Sequence, residues 1–144
     1  MKRTTIAKTL IAIATLLAPG IAPKARAQDG CSNSSLNGSF AYKATGTLTA
    51  PQPNPGPIAI VGRSTFDGNG GTGGSQMVSS NGFIFPVNLS GTYQVNPDCT
   101  GTFSFQLAPG VTINFFFVID DNRKELQIIQ TDPGAIVTAT ARKQ

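Results

Sequence analysis

The sequence predicts an all-β fold, an eight-stranded antiparallel up-and-down barrel. Beyond residue 31 the chain divides into eight short segments that are apolar or alternate with a period of two. Short clusters rich in Gly, Pro, Asn or Asp separate most neighbouring segments, which favours hairpins over crossovers. No segment after residue 27 has helical periodicity. Closure removes both sheet edges, which matters in a chain with only 12% charged residues. A sandwich is the alternative if closure fails.

Residues 1–27 read as a secretory signal peptide. Lys2, Arg3 and Lys8 form a positive start, and 6–22 is mostly apolar until Pro19 and Gly20 break it. Ala25-Arg26-Ala27 supplies the small-x-small cleavage pattern. The apolar run is too short for a membrane span. The expectation is export from a bacterium to the periplasm or beyond, leaving 28–144 as a single barrel domain with no integral membrane segment. Five of the 11 basic residues lie in the signal and none of the seven acids does. The remainder is therefore about neutral, and its charge does not point to nucleic acid as a partner.

The first strand covers 40–48, where Phe40, Tyr42, Ala44 and Leu48 alternate with Ala41, Lys43, Thr45 and Thr47. Four prolines between 51 and 57 then remove four ladder donors and force a loop. The second strand is 58–66. Asp67-Gly68-Asn69-Gly70 is a hairpin signal, because Asn and Gly accept positive φ. A weaker third strand spans 75–80, and Asn81-Gly82 turns the chain. Segment 83–95 is apolar but contains Pro86, so pairing is expected from Val87, with 82–86 as a loop or an edge. Strands follow at 99–107, 111–119, 124–130 and 135–141, divided by turns at 108–110, 120–123 and 131–134.

Cys31 and Cys99 are the only cysteines. In an oxidising compartment two cysteines of a small exported domain pair. The closed loop of about 69 residues is worth roughly 4 kcal/mol by chain entropy. Lipid attachment at Cys31 is the rival, but Gln28-Asp29-Gly30 lacks the aliphatic and small residues it needs. In a meander, strands one and five start at the same end, on opposite walls of an eight-strand barrel. Residues 31–37 reach up to about 20 Å when extended, enough to cross the floor. The expectation is a disulfide that ties the N-terminal segment across one end. The mouth then lies at the other, among loops 50–57, 80–86, 108–110 and 131–134.

The residue types exclude several chemistries. The chain contains no histidine, so Ser-His-Asp and Cys-His catalysis and histidine-ligated zinc are not available to it. Asp120-Asp121 is a solvated turn pair and not a dyad, since neighbouring strand residues face opposite sides. Gly68, Gly70 and Gly73 spell G-x-G-x-x-G, but a strand is expected where a dinucleotide site needs a helix. Asp67-x-Asn69 starts like a calcium loop, yet Thr72 and Val78 stand where glycine and glutamate are required. Asn33, Asn37 and Asn88 begin sequons that read as polar turns in a bacterial protein. Lys43, Lys124 and Lys143 read as strand-surface, turn and tail positions. No cofactor, no metal and no catalytic residue is expected.

Four stretches carry a resemblance. They are Gly38-Ser39-Phe40 with Tyr42, 65–70 (Thr-Phe-Asp-Gly-Asn-Gly), Gly91-Thr92-Tyr93 through Asn96-Pro97-Asp98-Cys99-Thr100-Gly101, and 130–134 (Gln-Thr-Asp-Pro-Gly). Over about 31–143 the chain resembles small exported bacterial proteins with an allene oxide cyclase-like barrel. The resemblance implies a calycin-like eight-strand barrel and export. The plant cyclase moulds a fatty-acid epoxide in a cavity with a glutamate and a bound water. The sole glutamate here, Glu125, is not matched to that position, so no catalytic residue is carried over.

Three functional readings follow. The first is a non-enzymatic exported barrel that holds a small apolar ligand among Phe40, Tyr42, Ile60, Phe103, Phe105, Phe115 and Phe117. The second is a filled barrel serving as a structural or surface-interaction module. Phe115-Phe116-Phe117 bears on it, because alternation buries Phe115 and Phe117 and places Phe116 outside, where it offers a patch for self-association. The third is a cyclase-type enzyme acting on a lipid-derived epoxide. The interior discriminates, since a cavity of several hundred cubic ångströms favours a ligand and a packed one favours the module.

Overall fold

The computed structural model describes residues 30–144, so the signal peptide expected at 1–27 lies outside the described residues. The chain closes as an antiparallel barrel with strand order β1 to β8, each strand pairing with the next and β8 with β1. The strands are β1 (Asn37–Leu48), β2 (Gly56–Asp67), β3 (Gly71–Ser80), β4 (Phe83–Val95), β5 (Thr100–Ala108), β6 (Val111–Asp120), β7 (Glu125–Gln130) and β8 (Ala135–Lys143). Short 3-10 turns precede β1 (Asn33–Ser35) and β7 (Asp121–Arg123). Eight strands were expected, and their order and hairpin connections are those read from the pattern.

β1, β2 and β8 run two or three residues beyond expectation, and the two largest boundary differences, at β3 and β4, each have a physical reason. β3 begins at Gly71, four residues earlier than its apolar content suggested. Glycines weaken the pattern but suit the close approach of β2, because a Cβ on Gly74 would collide with the Arg63 carbonyl. The hairpin before β3 is locked by the Asp67 carboxylate, whose Oδ1 accepts the N–H groups of Asn69 (2.7 Å), Gly70 (3.0 Å) and Gly71 (2.9 Å).

Residues 83–86 are not a loop. They pair with β3, Phe83 opposite Ser80 and Pro86 opposite Met77. They are, however, an edge on the other side, since pairing with β5 begins only at Ser90. The period of two shows why Pro86 is tolerated. Tyr93 N–H bonds to Gly70 on the β3 side, whereas Asn96 N–H bonds to Thr100 on the β5 side. Pro86 has the parity of Asn96, so its missing donor falls on the side that has no neighbouring strand.

The N-terminal segment crosses the floor as expected. Cys31 is joined to Cys99 with Cα atoms 4.9 Å apart, and Cys31 N–H donates to Pro97 O at 3.1 Å. Asn33 Oδ1 accepts Val95 N–H at 2.8 Å. The Tyr93 hydroxyl reaches the carbonyls of Asn33 (3.0 Å) and Leu36 (2.9 Å). Leu36 thereby seals the lower core, fully buried with Phe40, Phe117 and Leu126. Rings fill the remaining space edge to face, with Phe66 5.4 Å from Phe40 and 5.1 Å from Tyr93.

Replacing both cysteines by serine is expected to cost up to about 4 kcal/mol, since 68 residues separate them in the chain. Urea denaturation of the oxidised protein and the double variant measures the difference. Acid is a second stress. Hydrogen bonds hold Asp67 (from Asn69, Gly71 and Gly70 N–H) and Asp98 (from the Thr100 hydroxyl and N–H) below the ordinary value of 3.8. Burial pushes Asp132 up, but the Asn114 N–H and amide and the Gln130 amide outweigh it and leave it lowered as well. A lowered folded pKa stabilises above the unfolded value and is lost as pH falls through the folded one. Stability should therefore be level from about pH 7 to about pH 5 and decline below about pH 4. Urea midpoints across that range test this, and a midpoint that holds to about pH 2.5 would contradict it.

Candidate functional site

The barrel is filled below and hollow above. A cavity of about 480 Å³ opens toward the loops at the β1–β2, β3–β4, β5–β6 and β7–β8 ends, which is the predicted mouth. Side-chain parity builds it. Inward positions near the floor include the bulky Phe40, Phe66, Tyr93, Phe117 and Leu126, whereas many of those above, such as Ala44, Val78, Val87 and Ala139, are too small to meet across the axis. Loop 49–54 bends over one side, with Thr49 N–H donating to Gly134 O at 2.7 Å and Gln52 Nε2 to Pro133 O at 2.8 Å. The Ala50–Pro51 peptide in this loop is cis.

Of the residues proposed from sequence to contact a ligand, Phe40, Tyr42, Ile60, Phe103, Phe105 and Phe115 line the cavity. Phe117 does not. It is fully buried beneath, stacked on Phe103 with ring centroids 5.7 Å apart. Phe115 faces inward but is half-buried, not buried as expected, because the hollow leaves one side of its ring open. It stacks on Phe103 at 4.7 Å. Phe116 lies on the outer face, 38% exposed, opposite Ile129 and beside Val118 in a shallow apolar strip.

The cavity has one polar stripe on an apolar lining. Tyr42, Gly62 and Gln76 are cross-strand neighbours on β1, β2 and β3. A Cβ at Gly62 would lie 2.6 Å from the Tyr42 hydroxyl, so the glycine lets the phenol lie across β2. There it donates to Gln76 Oε1 at 2.6 Å. Burial pushes the Tyr42 phenol up to about 12, although a hydrogen bond with Ser64 pulls the other way. Tyr42 is therefore a neutral donor at physiological pH. The Gln76 amide nitrogen has no hydrogen-bond partner among the described residues and borders the hollow. Sequence reasoning placed Gln76 inside the third strand but missed its role, because that glycine-rich strand carries no aromatic to mark its inward face. The same alternation that selected Tyr42 would have found it.

Charge is almost absent from the lining. Asp132, at the rim, is the only Asp, Glu, Lys or Arg in the lining. Its carboxylate accepts from Asn114 N–H (2.9 Å), Asn114 Nδ2 (2.8 Å) and Gln130 Nε2 (2.9 Å), which clamps the β7–β8 turn to β6. Glu125 sits at the floor end, paired with Arg142 at 2.6 Å and remote from the cavity. Among the described residues no group of three or more His, Cys, Asp or Glu gathers to hold a metal, and no helix is long and apolar enough to cross a membrane.

No family model, curated protein or solved structure matches this chain. The architecture is nonetheless a closed eight-stranded antiparallel barrel of the general calycin-like kind.

The two sides of β6 should respond differently to truncation. Phe117→Ala is expected to cost about 3–5 kcal/mol, since it empties a packed site. Phe115→Ala should cost less, because its ring already borders a void, and Phe116→Ala least. Chemical denaturation of the three variants checks the order, and equal losses at all three would contradict the inside–outside assignment.

Proposed function

We propose that the protein is an exported, non-enzymatic barrel that binds one small apolar molecule bearing an uncharged hydrogen-bonding group. The observation that carries this reading is the 480 Å³ apolar hollow with the Tyr42–Gln76 stripe on its wall. The volume lies within the usual range of small-molecule sites, and such sites combine apolar walls with a few placed polar groups. The Tyr42 hydroxyl is already turned to Gln76 Oε1, which leaves the Gln76 amide N–H groups to meet a carbonyl or ether oxygen of the ligand. A carboxylate or ammonium group would enter without a counter-charge in the lower cavity, at a large desolvation cost. The disulfide is consistent with an oxidising compartment outside the cytoplasm.

The second reading is a cyclase-type enzyme of the kind the allene oxide cyclase-like resemblance implies. Tyr42 favours it, as a neutral phenol in a desolvated hollow would donate to an epoxide oxygen once its hydroxyl turned away from Gln76 Oε1. Incubating residues 28–144 with a lipid-derived epoxide separates the two. Turnover abolished by Tyr42→Phe would favour the enzyme, and binding without turnover would favour the carrier.

The binding reading makes its own prediction. Ala139 lines the hollow on β8 and borders Ala44 and Ile128. Ala139→Phe should occupy the space and weaken binding of an apolar fluorescent probe at least about tenfold. Gln76→Leu should weaken a carbonyl-bearing probe about fivefold and leave a pure hydrocarbon unaffected. Unchanged titrations with both variants would refute the cavity as the binding site.

A further inference from the structure

We propose that the mouth end of the barrel docks on the surface of an electrically neutral lipid bilayer. The charge distribution is the first ground. Of the 12 charged residues within 30–144, nine belong to the floor end and Lys43 and Arg63 to mid-height. The mouth end keeps only Asp132, already held by Asn114 and Gln130. A surface without free charge has no electrostatic reason to choose an acidic or basic partner and loses little on leaving water.

Exposed apolar side chains at the same end are the second ground. Phe83 is 75% exposed and Ile84 72%, at the start of β4, and Ile136 is 67% exposed at the start of β8. Leu107 and Val111 add the β5–β6 tip. These residues stand on separate strand ends around an opening and form no flat face. A folded protein seated there would leave the opening unfilled, whereas interfaces pack to interior density at their core. Fluid acyl chains and headgroups fill a ring of separate tips. Membrane-surface proteins insert apolar side chains to the headgroup–acyl boundary in the same manner.

The rim backbone is the third ground. Seven of the eight prolines within 30–144 lie in the mouth half: Pro51, Pro53, Pro55, Pro57, Pro86, Pro109 and Pro133. Proline has no N–H, so a rim built of it carries fewer donors to strip of water on immersion. Pro86 also disfavours strand addition by a second copy, because the open side of β4 lacks a donor at its centre. Docked this way, the mouth would face the medium in which an apolar ligand dissolves.

Flotation of residues 28–144 with phosphatidylcholine vesicles tests the proposal. The closed barrel and its disulfide lie within that span. The protein is expected to float with the vesicles equally at about 0.05 M and about 0.5 M salt. Phe83→Ser with Ile84→Ser should lower the partition coefficient at least about tenfold. Neither side chain lines the cavity, so probe binding in solution should not change, which separates failure of docking from failure of the ligand reading. Lys124→Ser at the floor end should float like the wild type. Absence of flotation, flotation only with anionic vesicles, or flotation that ignores the double variant would overturn the proposal. A dimer in solution that the double variant dissolves, with no flotation, would assign the rim to a second copy instead.

Discussion

The ladder of this barrel has no free ends, because β8 pairs with β1 from Phe40 opposite Lys143 to Leu48 opposite Ala135. Closure makes inside and outside absolute. In an open sheet a side chain turned from the core meets a second layer or water, whereas here each strand must serve both environments at alternate positions. A slip of one residue in any strand would send its aromatics into solvent and its Thr, Ser and Lys into the core. The alternation of Phe115, Phe116 and Phe117 expresses that constraint within three residues.

Closure alone does not determine how full the interior is. The floor is packed because the chain returns beneath it. The Cys31–Cys99 link, the Asn33 side chain and the Tyr93 hydroxyl hold residues 31–36 across the bottom, and Leu36 completes a cluster with Phe40, Phe117 and Leu126. No equivalent segment fills the barrel from the mouth, and several inward residues in that half, Ala44, Val78 and Ala139 among them, are short. The same barrel is therefore rigid at one end and hollow at the other. This matches the general tendency of binding sites to stand on well-packed scaffolds with openings at loop ends.

The polar stripe shows how a small number of residues define a site. Gly62 removes a side chain so that Tyr42 can lie over β2, and Gln76 Oε1 accepts its hydrogen bond. Three cross-strand neighbours thus place a neutral hydrogen-bonding group on a mostly apolar wall, beside Ser64. Lys43 and Arg63 at this height do not line the hollow, so no charged side chain faces the stripe and its preference is for neutral molecules.

Much of this was legible in the chain alone. The period of two, the turn clusters and the hairpin signals specify eight strands and their order, because each is a local property of a few adjacent residues. Parity assigned Phe40, Tyr42, Phe103, Phe105 and Phe115 to the interior, and two cysteines with strand counting placed the disulfide at the floor. What local signals do not encode is which neighbours a residue meets around the barrel. The pairing of Phe83–Leu89 on one side only, which accommodates Pro86, depends on the relative reach of β3, β4 and β5. The hollow depends on how inward side chains from eight strands sum across the axis, and this is why Phe117 is packed while Phe115, two residues away, borders empty space. Gln76 joined the site only through the register of β1, β2 and β3. Strand identity is a short-range property of backbone and alternation, whereas cavity volume and site composition are sums over residues distant in sequence, which only the tertiary structure decided.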